Sequence, residues 1–338
     1  MLSIVVLYGG KSTEHKVSVH SAADVVEELQ KSYKVLPVFI SQNGKWFLQK
    51  KCGPKTKNDI EISPLLDGNL IDKKGKVYKV SLFFPVLHGA FGEDGCVQGL
   101  FETIGAKYVG CKVLASALAM NKELSKKLAK AADIPVLPWF TLRKTEKLNK
   151  QEIFKRAKKL GYPIFVKPVS FGSSIGVTKV NKEGELLAAI KTAFQFENSI
   201  LVEKGLDNPR EVFCGVLEVK RNVFKASACG ELIKSNSTFF DYETKYLNPH
   251  GCDMTIPAKL PQKVQEKLKN YTENFFAVLG GNGFARIDFL ISQDYKQVYF
   301  SEINTIPGMS RSSLFPNLWK AGGISYKKQL EILIKAAN

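Results

Sequence analysis

The chain has no apolar run long enough to span a bilayer; stretches such as Leu82–Leu87 fall far short of the ~20 residues required. It also has no C-x-x-C pair. Its six cysteines (Cys52, Cys96, Cys111, Cys214, Cys229 and Cys252) are scattered, which fits reduced thiols rather than a disulfide framework or a zinc site. His250 and Cys252 are close in sequence, but two ligands without partners make no metal site. Arginine is scarce, with only six among 49 basic residues. No zinc finger, RNP-like aromatic motif or dense basic tail accompanies the lysines. The formal net charge of +17 therefore reads as a lysine-rich solvated surface, with segments such as "KELSKKLAKAAD" carrying lysines on polar helix faces, rather than as a nucleic-acid footprint. There is no internal repeat and no low-complexity tract. The sequon Asn236-Ser237-Thr238 carries little weight without an export signal. "MLSIVVLYGG" has no basic leader and reads as a first buried strand, so a cytoplasmic protein is expected.

What is present is a 338-residue chain with 44% hydrophobic residues, enough for two or three globular domains. Residues 2–8, 33–41 and 80–89 read as strands, with helices near 18–30 and 95–105 between them. Strands alternating with helices predict a parallel α/β unit. The lysine- and glycine-containing stretch 44–79 interrupts it as a hairpin or loop insert. Further helices are expected at 116–132, 149–160, 183–196 and 261–279, with strands at 211–219 and 224–234. The division expected is 1–114, 115–207 and 208–338.

In "KPVSFGSSIGV" a strand leads through Gly172-Ser173-Ser174-Ile175-Gly176 to a second strand. Small residues let backbone N–H groups approach an anion, and Lys167 can add a compact positive charge. A Walker loop is excluded here, because this loop lacks G-K-[ST] and a strand follows it. By itself the loop is equally a flexible hairpin tip. The stretch "FARIDFLISQDYKQVYFSEINTIPGM" favours the anion site. Arg286 and Asp288 share a strand face, as do Glu302 and Asn304, and a Thr-Ile-Pro-Gly corner follows. Asp288, Glu302 and Asn304 offer hard oxygens that suit Mg²⁺ bridging phosphates, whereas a surface ion pair explains only Arg286 beside Asp288. Glu14 lies just past the first strand, where ligands of open α/β sheets bind. Its carboxylate is placed either to hold an ammonium group or to face a helix dipole. His88, in the glycine-rich "HGAFGEDG", falls at the same rim.

Together "YGGKSTEHKVS", "HGAFGEDG", "KPVSFGSSIGV", "FFDYETKY", "GFARIDF" and "SEINTIPGMSRSSLFP" resemble the D-alanine–D-alanine ligases of the ATP-grasp superfamily, in the family's order and over essentially the whole chain apart from 44–79. The resemblance implies an α/β and α+β protein: an ATP-grasp fold behind an N-terminal Rossmann-like parallel-sheet domain. It implies that ATP phosphorylates one D-alanine and the amine of a second attacks the acyl phosphate. By the same resemblance, Lys122 and Lys167 contact phosphates together with Gly172, Ser173 and Ser174. Asp288, Glu302 and Asn304 hold two Mg²⁺, with Mn²⁺ able to substitute. Arg286 and the Gly308 N–H stabilise the oxyanion. Glu14 grips the first ammonium with His88 nearby, and Ser173 and Tyr246 partner Glu14 in closing a lid. Ser313 and Leu314 receive the second carboxylate. Glu203 and Lys204 fit an adenine hinge and Glu211 a ribose contact. A homodimer is the family expectation. Tyr246 favours an amino acid over D-lactate as second substrate, which leaves D-alanine–D-lactate ligation as the alternative and a basic nucleic-acid-binding protein as the rival from another class.

Overall fold

The computed structural model describes residues 2–147, 149–234 and 252–337. Strand β1 (Ser3–Gly9) is buried along its whole length, as a run apolar on both faces requires. Helix α1 (His15–Leu29) follows, burying Ala22, Val25, Val26 and Leu29. Strands β2 (Lys34–Ile40) and β7 (Leu82–Val86) flank β1 in parallel. The interrupting stretch is neither a lone hairpin nor a loop. It forms β3 (Trp46–Leu48), β4 (Ile60–Pro64), β5 (Leu70–Asp72) and β6 (Val77–Tyr78), an antiparallel meander that widens the sheet to the order β6-β5-β4-β3-β2-β1-β7. Ile62 and Leu70 are buried on one face of the meander and Phe47 on the other, and Gly68 and Gly75 adopt positive φ in its turns. Strands this short carry too little alternation to be read from sequence. Helix α2 (Cys96–Thr103) then covers the sheet.

The single helix expected at 116–132 is two helices, α3 (Val113–Met120) and α4 (Lys122–Ala131). Asn121 breaks it by taking extended backbone (φ −85, ψ 105) and accepting the Leu124 N–H with its side chain at 3.0 Å. That N-cap bond competes well with continued helix. A second sheet has the order β10-β9-β11-β8, all antiparallel, from β8 (Trp139–Arg143), β9 (Ile164–Pro168), β10 (Thr178–Val180) and β11 (Ser199–Lys204). Helices α5 (Lys150–Leu160) and α6 (Leu186–Ala193) cover it through Ile153, Ala157, Leu186 and Ile190.

The third sheet is antiparallel, in the order β14-β13-β12-β15-β16: β12 (Arg210–Lys220), β13 (Val223–Lys234), β14 (Cys252–Thr255), β15 (Phe284–Ile291) and β16 (Val298–Asn304). Helix α7 (Gln262–Val278) packs on one face of it, together with α3 and α4. The last helices, α8 (Leu314–Ala321) and α9 (Tyr326–Ala337), are wedged between sheets. Phe315, Trp319, Leu330 and Leu333 share one core with Ile4, Val6 and Phe84 of the first sheet. Among the described residues no helix is long and apolar enough to cross a membrane, and the five described cysteines form no disulfide.

Candidate active site

The pairing of β15 with β16 sets Arg286 opposite Asn304 and Asp288 opposite Glu302. Alternation puts all four side chains on one face, beside Phe213 and Gly215 of β12. The Arg286 guanidinium donates from Nε and Nη2 to the two Asp288 oxygens, each at 2.7 Å. Such a fork fixes the plane of the guanidinium. Asn304 Nδ2 approaches Asp288 Oδ2 at 3.4 Å. Lys122 reaches in from α4, with its Nζ 3.8 Å from Glu302 Oε2 and donating to the Phe171 carbonyl at 2.6 Å. Among the described residues no group of three His, Cys, Asp or Glu side chains is arranged to hold a metal ion. Two carboxylates and an amide on one strand pair, each carboxylate facing a cationic side chain, instead suit a hard Mg²⁺ ion that keeps phosphate oxygens among its ligands.

The loop after β9 carries two successive left-handed residues, Ser173 (φ 52) and Ser174 (φ 59). Non-glycine residues tolerate that backbone only where surrounding structure enforces it. Here the enforcement comes from far along the chain: Ser173 Oγ donates to Glu14 Oε1 at 2.5 Å. Gly172 lies alongside, where a Cβ would stand 3.8 Å from Glu14 Oε2.

Glu14 occupies the N-cap position of α1, yet its side chain makes no capping bond. The carboxylate accepts from Ser173 across the site instead. Gly89, at φ +72, presses on its other oxygen; a Cβ there would stand 2.4 Å from Glu14 Oε2 and 2.6 Å from Ser12 Oγ. His88 is buried at this rim. Its Nδ1 donates to the Ile306 carbonyl at 2.8 Å, and its Nε2 stands 3.2 Å from Ser21 Oγ. Burial holds the imidazole below its ordinary pKa, so His88 is neutral.

Glu93, which the sequence placed in the same loop without a role, grips the other side of Ile306. Its Oε1 accepts the Ile306 N–H at 2.9 Å and its Oε2 the Gly89 N–H at 2.8 Å. Burial first, and the nearby Glu14 charge second, push its carboxyl up to about 8. A group whose folded pKa is raised favours the fold while protonated. That contribution is intact below the ordinary glutamate range and is lost as pH rises through about 8. The melting temperature is accordingly expected to decline as pH rises from about 5 to about 9. Glu93→Gln, which cannot ionise, should flatten that decline in thermal melts; a variant curve parallel to the parent's would rule Glu93 out as its source.

The Ile306 clamp fixes the corner that leads to Gly308 and Ser313. A Cβ on Gly308 would stand 2.9 Å from Ser313 Oγ, so the two residues are in close apposition. Ser313 is the N-cap of α8, and its hydroxyl meets Ser310 Oγ at 2.7 Å. Leu314 opens the helix, where backbone N–H groups have no intrahelical acceptor. Arg311 anchors the segment to α1, donating to Asp24 Oδ1 at 2.9 Å and Glu27 Oε1 at 3.0 Å.

The lysines of α4 are not all surface residues. Lys126 is fully buried and pairs with Glu203 Oε1, while Lys167 donates to Glu203 Oε2 at 2.5 Å. Burial alone would push the Glu203 carboxyl up, but the two lysines hold it below the ordinary glutamate value. Only the spacing of Lys126 from Lys122, one helical turn, signalled that they share a face. Lys204, next to Glu203, is exposed, and its N–H donates to the Pro138 carbonyl. Glu211 is half-buried on the β12 face that carries Phe213. The structure thus brings Glu14 to Ser173, Lys122 to Glu302, and Arg286 to Asp288 and Asn304. Tyr246 lies outside the described residues.

Residues 3–111 match the family described as D-ala D-ala ligase N-terminus, and residues 128–335 match D-ala D-ala ligase C-terminus. A D-alanine–D-alanine ligase of Caldicellulosiruptor bescii is 38% identical over 350 residues, covering 99% of this chain and 95% of that protein. The solved D-alanine–D-alanine ligase of Coxiella burnetii is 31% identical at a TM-score of 0.88, covering 99% of this chain and 93% of that one. VanG D-Ala:D-Ser ligase from Enterococcus faecalis is 33% identical at a TM-score of 0.87, covering 100% of this chain and 99% of that one. With both halves matched and the fold shared end to end, the chain belongs to the D-alanine–D-alanine ligase family and has its ATP-grasp fold.

Proposed function

We infer that the chain is an ATP-dependent ligase that joins two D-alanines into D-alanyl-D-alanine for peptidoglycan synthesis, releasing ADP and phosphate. The observation that carries the reading is family similarity over both halves of the chain, and the Ser173–Glu14 hydrogen bond between the Gly/Ser loop and the N-terminal rim supports it. Glu14 takes the first D-alanine's ammonium, and Arg286 faces its carboxylate. Lys122, Lys167 and the backbone of Gly172, Ser173 and Ser174 hold the ATP phosphates. Glu203 and Lys204 border the adenine and Glu211 the ribose. A carboxylate oxygen attacks the γ-phosphorus, the bond to ADP breaks, and a D-alanyl phosphate forms.

The second D-alanine places its carboxylate on the Ser313 hydroxyl and the Leu314 N–H, at a helix N-terminus suited to anions. Its neutral amine attacks the acyl carbon. Arg286 and the Gly308 N–H stabilise the oxyanion, which collapses with loss of phosphate. Positioning and charge stabilisation carry both steps, with no covalent protein intermediate. Asp288, Glu302 and Asn304 would hold two Mg²⁺, or Mn²⁺ in their place, which supply charge neutralisation to the phosphates. The cytoplasmic location, a homodimer and the division at 1–114, 115–207 and 208–338 belong to the same proposal; each sheet falls within one of those segments.

D-alanine labelled with ¹⁸O in its carboxylate tests the acyl phosphate. One labelled oxygen in each released phosphate is expected, and unlabelled phosphate would refute carboxyl phosphorylation. The named relatives give no support to the D-lactate or nucleic-acid readings; one of them is a D-Ala:D-Ser ligase. Tyr246→Phe is expected to raise the share of depsipeptide formed when D-lactate competes with D-alanine. An unchanged product ratio by mass analysis would remove Tyr246 from substrate selection.

A further inference from the structure

Lys126 lies beside the proposed nucleotide site, and the reaction proposed above gives it no role. Helix α4 turns it inward, its side chain 1% exposed, with Nζ 5.4 Å from the centre of the Trp139 ring. Its partner Glu203 is buried and lies between two lysines, Lys126 on Oε1 and Lys167 on Oε2. Two ammonium groups and one carboxylate leave one positive charge in excess, which an anionic ligand would balance. The two lysines are not equivalent. Lys167, 15% exposed, is one residue from the end of β9 and the phosphate loop that follows, whereas Lys126 is enclosed on its helix.

We propose that Lys126 is a positioning residue: it neutralises Glu203 permanently, so that Lys167 can leave that carboxylate and turn to the phosphates of bound nucleotide. Without Lys126, every departure of Lys167 would strand a bare carboxylate in a buried site, which is strongly unfavourable. The proposal rests on the ATP-binding reading above and adds a counter-ion held in reserve beneath it. Burial draws the Lys126 ammonium below its ordinary pKa while the Glu203 charge opposes that shift, as expected of a pair that stays ionised only together.

Calorimetric titration of the full chain with ATP and, separately, with adenosine tests this. Lys126→Met is expected to weaken ATP binding by roughly tenfold to a hundredfold while adenosine binding stays within about threefold. The effect should fall on the phosphates alone. Lys126→Met/Glu203→Gln, which removes the carboxylate that would otherwise hold Lys167, should bring ATP affinity back to within roughly threefold of Glu203→Gln. Equal weakening of both ligands would make Lys126 a packing residue and overturn the proposal, as would a double variant no better than the single. The double variant buries no bare carboxylate, so it carries the test where the single one misfolds. Loss of ATP binding with adenosine retained would then make Lys126 a direct phosphate contact, against the proposal. A parent chain that binds no ATP sinks the nucleotide reading itself, whereas normal parental binding with the wrong variant pattern sinks the Lys126 role alone.

Discussion

Arg286→Met is expected to lower kcat for dipeptide formation by roughly 10²–10³-fold, the loss typical when one oxyanion donor is removed. Two features set the size of the effect. The guanidinium is held by both Asp288 oxygens at 2.7 Å and lies opposite Asn304, so it needs no reorganisation as charge develops. Removing it also takes from Asp288 the guanidinium that bonds both of its oxygens. Nucleotide affinity should change far less than kcat, because Lys122 and Lys167 lie on other elements, α4 and β9. Arg286→Lys should rescue little, since a point charge on a flexible stem cannot reproduce the fork. Steady-state kinetics at saturating D-alanine give the answer, and a kcat within about threefold of the parent would take Arg286 out of the transition state.

Gly89→Ala is expected to impair use of the first D-alanine as severely as removing Glu14 itself. The added methyl would stand 2.4 Å from Glu14 Oε2, and the backbone at φ +72 is one that alanine adopts only with strain. Backbone strain alone costs about 1–3 kcal/mol. The carboxylate must move as well, taking with it the Ser173 hydrogen bond at 2.5 Å. A rise of roughly tenfold or more in KM for D-alanine is the kinetic signature expected of a lost ammonium contact. The melting temperature should fall by a few degrees, by roughly the strain divided by the unfolding entropy. A variant with the parent's KM would mean that Glu14 can relax without cost and is not the ammonium anchor.

How much of this was legible in the sequence follows from how local each signal is. β1 was readable because the unbroken apolar run Ile4–Tyr8 has one comfortable place, the middle of a parallel sheet. The helix expected at 149–160 was readable from its closing Gly161 with Pro163 just beyond, and the structure shows it as Lys150–Leu160. The Arg286–Asn304 cluster was readable because period-two spacing already puts those residues on one face. The break at Asn121 was not, because a lone asparagine inside a helix-compatible stretch does not show by itself whether it continues the helix or caps a new one. Neither was the burial of Lys126 and Glu93, which depends on partners from distant segments: Glu203 for the lysine, and the Ile306 N–H for the acid. Polar residues near a strand end read as solvent-facing until tertiary contacts supply their hydrogen bonds. Likewise the Ser173–Glu14 bond spans 159 residues, and only the family resemblance anticipated it.

The most direct test of the central claim is phosphate release from ATP and Mg²⁺ by the purified chain, with D-alanine or L-alanine as sole amino acid, followed by the mass of the product. Release with D-alanine alone, yielding one dipeptide per phosphate, is the predicted result. Equal release with both enantiomers, or release with no dipeptide formed, would contradict it.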